Sequence, residues 1–148
     1  MTDASWAVLG DEAIHERDRV ELSLPARPEL LFLVRMTAAA VASRADFGYD
    51  QIEDLRLAID ELALTICGDE PQAGRLQLLF KWSEDAIEVV GVYEADSGES
   101  RPELVLAQPA NELSARILDA LVDEHGADAV GGCPRAWLRM RRRKGSRA

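Results

Sequence analysis

Residues 49–68 read YDQIEDLRLAIDELALTICG, and the rest of the chain is best understood as support for this stretch. Ile52, Leu55, Ile59, Leu62 and Ile66 recur three and four residues apart, one continuous apolar stripe on a helix of 3.6 residues per turn. Asp50 is placed to cap the start, with Glu53 as the second half of a capping box. Gly68 closes the pattern as a glycine just past a helix does. The opposite side carries Leu57, Ala58, Leu64 and Thr65, with Glu61 among them. A surface helix would present Lys and Glu there. A carboxylate inside a second, half-apolar face has two readings. It is either an acid paired with an arginine on a helix buried on two sides, or a general base on the wall of a cleft.

The 148 residues are 47% apolar, enough for the core of one domain. No apolar run approaches the roughly 20 residues that span a bilayer. The opening MTDASWAVLGDEAIHERD lacks the basic and apolar regions of a signal peptide, so the protein is expected in the cytoplasm. Cys67 and Cys133 lie too far apart to read as a metal motif or a disulfide framework, and both read as small buried residues. The net charge is −10, and Arg139, Arg141, Arg142, Arg143, Lys144 and Arg147 hold six of the 17 basic residues. The first 138 residues therefore set 11 basic side chains against all 27 acidic ones. Such a body does not hold a nucleic-acid backbone, but it steers encounter with a basic protein. The basic tail, residues 143–148, reads as a solvated terminus.

Outward from the central helix, residues 1–18 are polar and mixed and are expected to be loosely ordered. Residues 19–24, RVELSL, alternate as a half-buried strand that Pro25 stops. Pro28 suits the first position of a helix running to about residue 45, with more apolar residues than one stripe needs. That surplus fits either a well-packed helix or a homodimer contact. Two alternating runs, 75–82 and 87–93, flank the turn Ser83-Glu84-Asp85 and predict a hairpin. Residues 94–109 predict a long loop. Asn111 predicts the N-cap of a helix over 112–124, with Leu113, Ile117, Leu118 and Leu121 inward and Gly126 beyond its end. Residues 128–132 and 136–141 predict two closing strands around Gly131-Gly132-Cys133-Pro134, with Trp137 on the arginine face. Strands in adjacent hairpins, interrupted by helices, predict an α+β two-layer α/β sandwich: a mixed, mostly antiparallel sheet with helices on one face.

The run Leu55-Arg56-Leu57-Ala58-Ile59-Asp60-Glu61 resembles the N-box helix of the GHKL (histidine-kinase-like) ATPase superfamily. Within it, the resemblance is to the anti-sigma factor and serine-protein kinase branch, the RsbW-like proteins. It covers roughly residues 19–142 and implies the Bergerat-type ATP-binding fold. It places the family's catalytic base on Glu61 and the Mg²⁺-binding Asn on Thr65, a departure. Asp96-Ser97-Gly98-Glu99-Ser100 is similar to the family's DxGxG box, in which the Asp reads the adenine amino group; Asp96 and Gly98 match and Ser100 does not. The family's phosphate-cradling glycine box falls on NELSARIL, which has no glycine and puts Glu112 at a helix start.

What the resemblance implies is an anti-sigma factor. It would sequester an alternative sigma factor and be released by a STAS-type anti-sigma antagonist. Arg35 is the implied sigma contact, with Arg17, Arg19 and Arg44 as competitors, and a homodimer is expected. Full kinase chemistry would make Glu61 the base for the antagonist's serine, with ATP read by Asp96 and Mg²⁺ near Thr65. The two departures weaken the electrostatic part of that chemistry. Three readings stay open: a binding module with a degenerate ATP site, an active serine-protein kinase, and a derived domain with another partner.

Overall fold

The structure, a computed structural model, describes residues 18–68, 73–97, 102–107 and 110–143. Most of the expected N-terminal segment and of the basic tail lies outside the described residues, as do Gly98 and Ser100. The order is β1 (Arg19–Pro25), a 3-10 turn (Pro28–Leu30), α1 (Leu31–Arg44), α2 (Tyr49–Cys67), β2 (Gly74–Trp82) and β3 (Ala86–Ala95). There follow α3 (Pro102–Leu106), α4 (Ala110–Leu121), β4 (Glu124–Val130) and β5 (Cys133–Arg141). The described strands form one sheet in the order β1-β2-β3-β5-β4. Each neighbouring pair is antiparallel, so the parallel component of a mixed sheet is absent among them.

Alternation decides what each face holds, because successive side chains of a strand point to opposite sides. One row runs Leu22, Leu78, Gly91 and Ala136 across β1, β2, β3 and β5. With its neighbours Leu76, Phe80, Val89 and Leu138 it meets Leu55, Ile59, Leu62 and Ile66 of α2 and Val34, Ala38 and Val41 of α1 in a single core. The predicted two-layer α+β sandwich is what forms. Gly91 is required where it stands: a Cβ there would come within 2.9 Å of Leu62 Cδ2. The other face carries charge in register. Lys81, Glu88, Arg139 and Glu124 lie side by side across four strands, and Asp128 lies beside Arg135. Between these rows sit Leu79 and Val90, with Trp137 on the arginine face as expected, and Val92 lies beside Arg135.

Several local readings are corrected. No side chain caps α2; its N-cap is Gly48, and Glu53 accepts from Arg56 at 3.1 Å instead of reaching back. The 94–109 stretch is not structureless, because Pro102 opens the short α3, a position where its missing N–H is no loss. Helix α4 starts one residue before Asn111, so Asn111 is not its cap, and it ends at Leu121. Leu113 points outward and is 61% exposed. Gly126 belongs to β4, where the missing Cβ makes room for Trp137: an added one would lie 2.4 Å from the indole ring. Only Gly131 and Gly132 make the closing turn, both with positive φ, which glycine adopts without strain.

Candidate functional site

The site forms where α4 crosses the C-terminal half of α2. Glu61 is half-buried, and its Oε2 accepts a 2.7 Å hydrogen bond from the hydroxyl of Ser114, which is 1% exposed. One turn on, Thr65 is buried and its hydroxyl donates to the Glu61 backbone carbonyl at 2.8 Å. That bond is the ordinary fate of a threonine facing its own helix. Asn111 donates from Nδ2 to the Val105 carbonyl at 2.9 Å and to the Thr65 carbonyl at 3.4 Å. Its Oδ1 is buried with no partner among the described residues. Three polar side chains on two helices thus tie α2, α3 and α4 together.

Two cavities flank α2 here. One of about 300 Å³ lies towards the start of α1, between Arg27 and Leu31 on one side and Asp60, Glu61, Leu64 and Cys67 on the other. The second, about 290 Å³, lies under α4 and is lined by Thr65, Asn111, Leu118, His125 and Trp137 among others. Glu61 therefore borders the first and Thr65 the second. Burial pushes the Cys67 thiol up to about 12, so it stays protonated and is a poor nucleophile. Burial likewise raises Tyr93, helped by Cys67 and then Asp96.

The other expected positions fall outside these walls. Asp96 is exposed just past β3, its N–H donating to the Ala73 carbonyl at 2.9 Å, and it lines neither cavity. Gly98 lies outside the described residues. Arg35 pairs with Asp60 at 2.9 Å, the residue immediately before Glu61. Among the described residues it is Asp60, not Glu61, that pairs with this arginine. Among the described residues no three His, Cys, Asp or Glu side chains gather as a metal site. No described helix is long and apolar enough to cross a membrane.

The roles of Ser114 and Asn111 were not legible in advance. Their signal was the three-residue spacing that puts both on the same face of α4 as the buried Leu118. Polar residues in line with a buried stripe meet partners, but which partners depends on the helix opposite.

No family model matches the chain. Its sequence is similar to that of serine-protein kinase RsbW of Bacillus subtilis (strain 168), 37% identical over 83 residues, covering 54% of this chain and 52% of that protein. The matched stretch is thus similar to RsbW proteins. The RsbW of Bacillus velezensis is also 37% identical, over 86 residues, and that of Bacillus cereus (strain B4264) is 34% identical over 85. These alignments cover 56% of this chain and 52% and 51% of the two relatives. The chain spans about half the length of the curated relatives it matches.

Proposed function

We propose that this protein is an anti-sigma factor of the RsbW type, which sequesters an alternative sigma factor and is released by a STAS-type antagonist. The observation that carries the reading is Glu61: a half-buried carboxylate at a cavity wall, on the helix whose sequence resembles the family's. Arg35 is the candidate sigma contact. It is held by Asp60 one residue from Glu61, so a partner carboxylate that drew Arg35 away would act next to the site. The homodimer, the cytoplasmic location and the absence of direct nucleic-acid or membrane binding belong to the same reading.

In this reading Mg²⁺ and ATP are held weakly. The Thr65 hydroxyl already donates to its own helix, which leaves its lone pairs as the only metal ligand where an amide carbonyl would be stronger. Glu112, exposed in the first turn of α4, stabilises the helix by its negative charge. The same charge opposes a phosphate there. Asp96 and Gly98 would lie on the adenine side. Equilibrium binding of labelled ATP with Mg²⁺ tests this part: weak binding, little changed in Asp96→Ala, is expected. Tight metal-dependent binding lost in Asp96→Ala or Glu61→Ala would overturn it.

A second reading is an active serine-protein kinase that phosphorylates the antagonist. The relatives' name, serine-protein kinase, favours it. Transfer of labelled phosphate from ATP to a STAS-domain protein, abolished in Glu61→Ala, would establish it. Co-purification with a sigma factor, weakened by Arg35→Ala, supports the anti-sigma assignment. Absence of any bound sigma factor removes it in favour of a derived domain with another partner.

A further inference from the structure

We propose that Ser114 is an internal competitor for Glu61, occupying the carboxylate oxygen that a serine of a partner protein would need. The inference rests on reading Glu61 as the acid that meets such a serine. Ser114 brings the same functional group to the same atom: a serine hydroxyl donating to Oε2 at 2.7 Å. Its side chain is almost wholly buried, and neither cavity flanking α2 includes it in its wall. It is therefore placed to block rather than to react. A bond to a charged acceptor is the strong kind, and Ser114 makes it within the chain, where the entropy of bringing two molecules together is not lost again.

The rest of the contact makes the block releasable. Besides Ser114, α4 bonds to this part of α2 through the long 3.4 Å contact of Asn111 with the Thr65 carbonyl. The Asn111 Oδ1 beside it is buried without a partner among the described residues, an arrangement that favours separation of the two helices. A small outward movement of α4 withdraws Ser114 and frees Oε2 on a side chain that already borders the first cavity. In this arrangement the serine of the antagonist and Ser114 exclude one another, and α4 sets the threshold for antagonist recognition.

The test is an affinity cycle that needs no nucleotide. A STAS-domain antagonist is measured against the wild type and Ser114→Ala, once with its acceptor serine and once with that serine replaced by alanine. Ser114→Ala is expected to bind the serine form about ten-fold tighter than the wild type does, one hydrogen bond to a charged group. The alanine form should bind both proteins equally. Equal affinity of the serine form for both proteins overturns the competitor role and leaves the antagonist as partner. No binding by either protein overturns the partner reading and the competitor with it. Urea unfolding of Ser114→Ala, Glu61→Gln and the double variant supplies an independent arm: non-additive effects support the internal bond, and additivity overturns it. If Ser114→Ala does not fold, Ser114→Cys keeps the shape with a much weaker donor and serves in both arms.

Discussion

At the scale of single residues, the buried face of α2 holds groups whose chemistry is set by their surroundings. The Cys67 thiol is pushed up to about 12 from an ordinary 9.0 by burial alone. A group raised in the folded state contributes stability that is fully present below the unfolded value and is lost as pH rises towards the folded one. Between about pH 9 and 12 the unfolding free energy should therefore fall by up to about 1.4 kcal/mol per pH unit beyond other titrations. Cys67→Ala should flatten that part of the profile, as urea titrations across the range would show. An unchanged slope would mean that the thiolate is tolerated in place. Thr65 supports a second expectation. Its hydroxyl serves the helix, so Thr65→Asn, which adds an amide carbonyl, should raise Mg²⁺–ATP affinity about ten-fold, one good polar contact. Calorimetric titration of both proteins measures this.

At the scale of elements, the two faces of the sheet respond to different changes. On the helix side, β3 passes under α2 at Gly91, where an added Cβ would also lie 3.2 Å from Ile66 Cδ1. Gly91→Ala should destabilise by about 1–3 kcal/mol, the range for over-packing a filled core. A smaller loss would show that Leu62 and Ile66 can move aside. On the other side, Arg139 donates from Nε to Glu88 at 2.8 Å and from Nη1 to Glu124 at 3.4 Å. Glu88 is 4% exposed, whereas the Glu124 side chain is 41% exposed. Glu88→Ala removes the buried carboxylate that the guanidinium faces and should destabilise by about 3 kcal/mol. Glu124→Ala removes solvated contacts to Arg139 and Arg141 and should change stability by less than about 1 kcal/mol. Chemical denaturation that ranked the two equally would contradict the burial argument.

At the scale of the whole molecule, two features join distant parts of the chain. Gln51, 1% exposed in the first turn of α2, donates to the Arg141 carbonyl at 2.8 Å and accepts from the Arg143 N–H at 3.0 Å. The end of β5 is thereby fixed to the start of the helix that carries Glu61. The outer side of α1 presents Phe32, Leu33 and Met36, which are 45%, 37% and 62% exposed. These residues are the candidate contact of the expected homodimer. Phe32→Ser with Met36→Glu should give a monomer by light scattering, with a loss in urea stability no larger than that of ordinary surface substitutions, about 0.5 kcal/mol. A dimer that survives both changes places its interface elsewhere.

The sequence by itself determined the fold class and most of the elements, though not α3 or the early start of β4. Periods of 3.6 and 2 depend on the neighbours of each residue along the chain, and hydrophobic burial then allows few ways to stack the layers. It also singled out Glu61, because a carboxylate inside an apolar face is visible without coordinates. Tertiary structure alone decided what that carboxylate meets. Ser114 is 53 residues away, and Asn111 reads as a cap until α3 and α2 supply carbonyls for its amide. The assignment of Arg35 to Asp60, 25 residues on, was equally out of reach. Hydrogen bonds require atoms within about 3 Å, and helix-to-helix placement at that precision comes from packing the whole core, which no local pattern encodes.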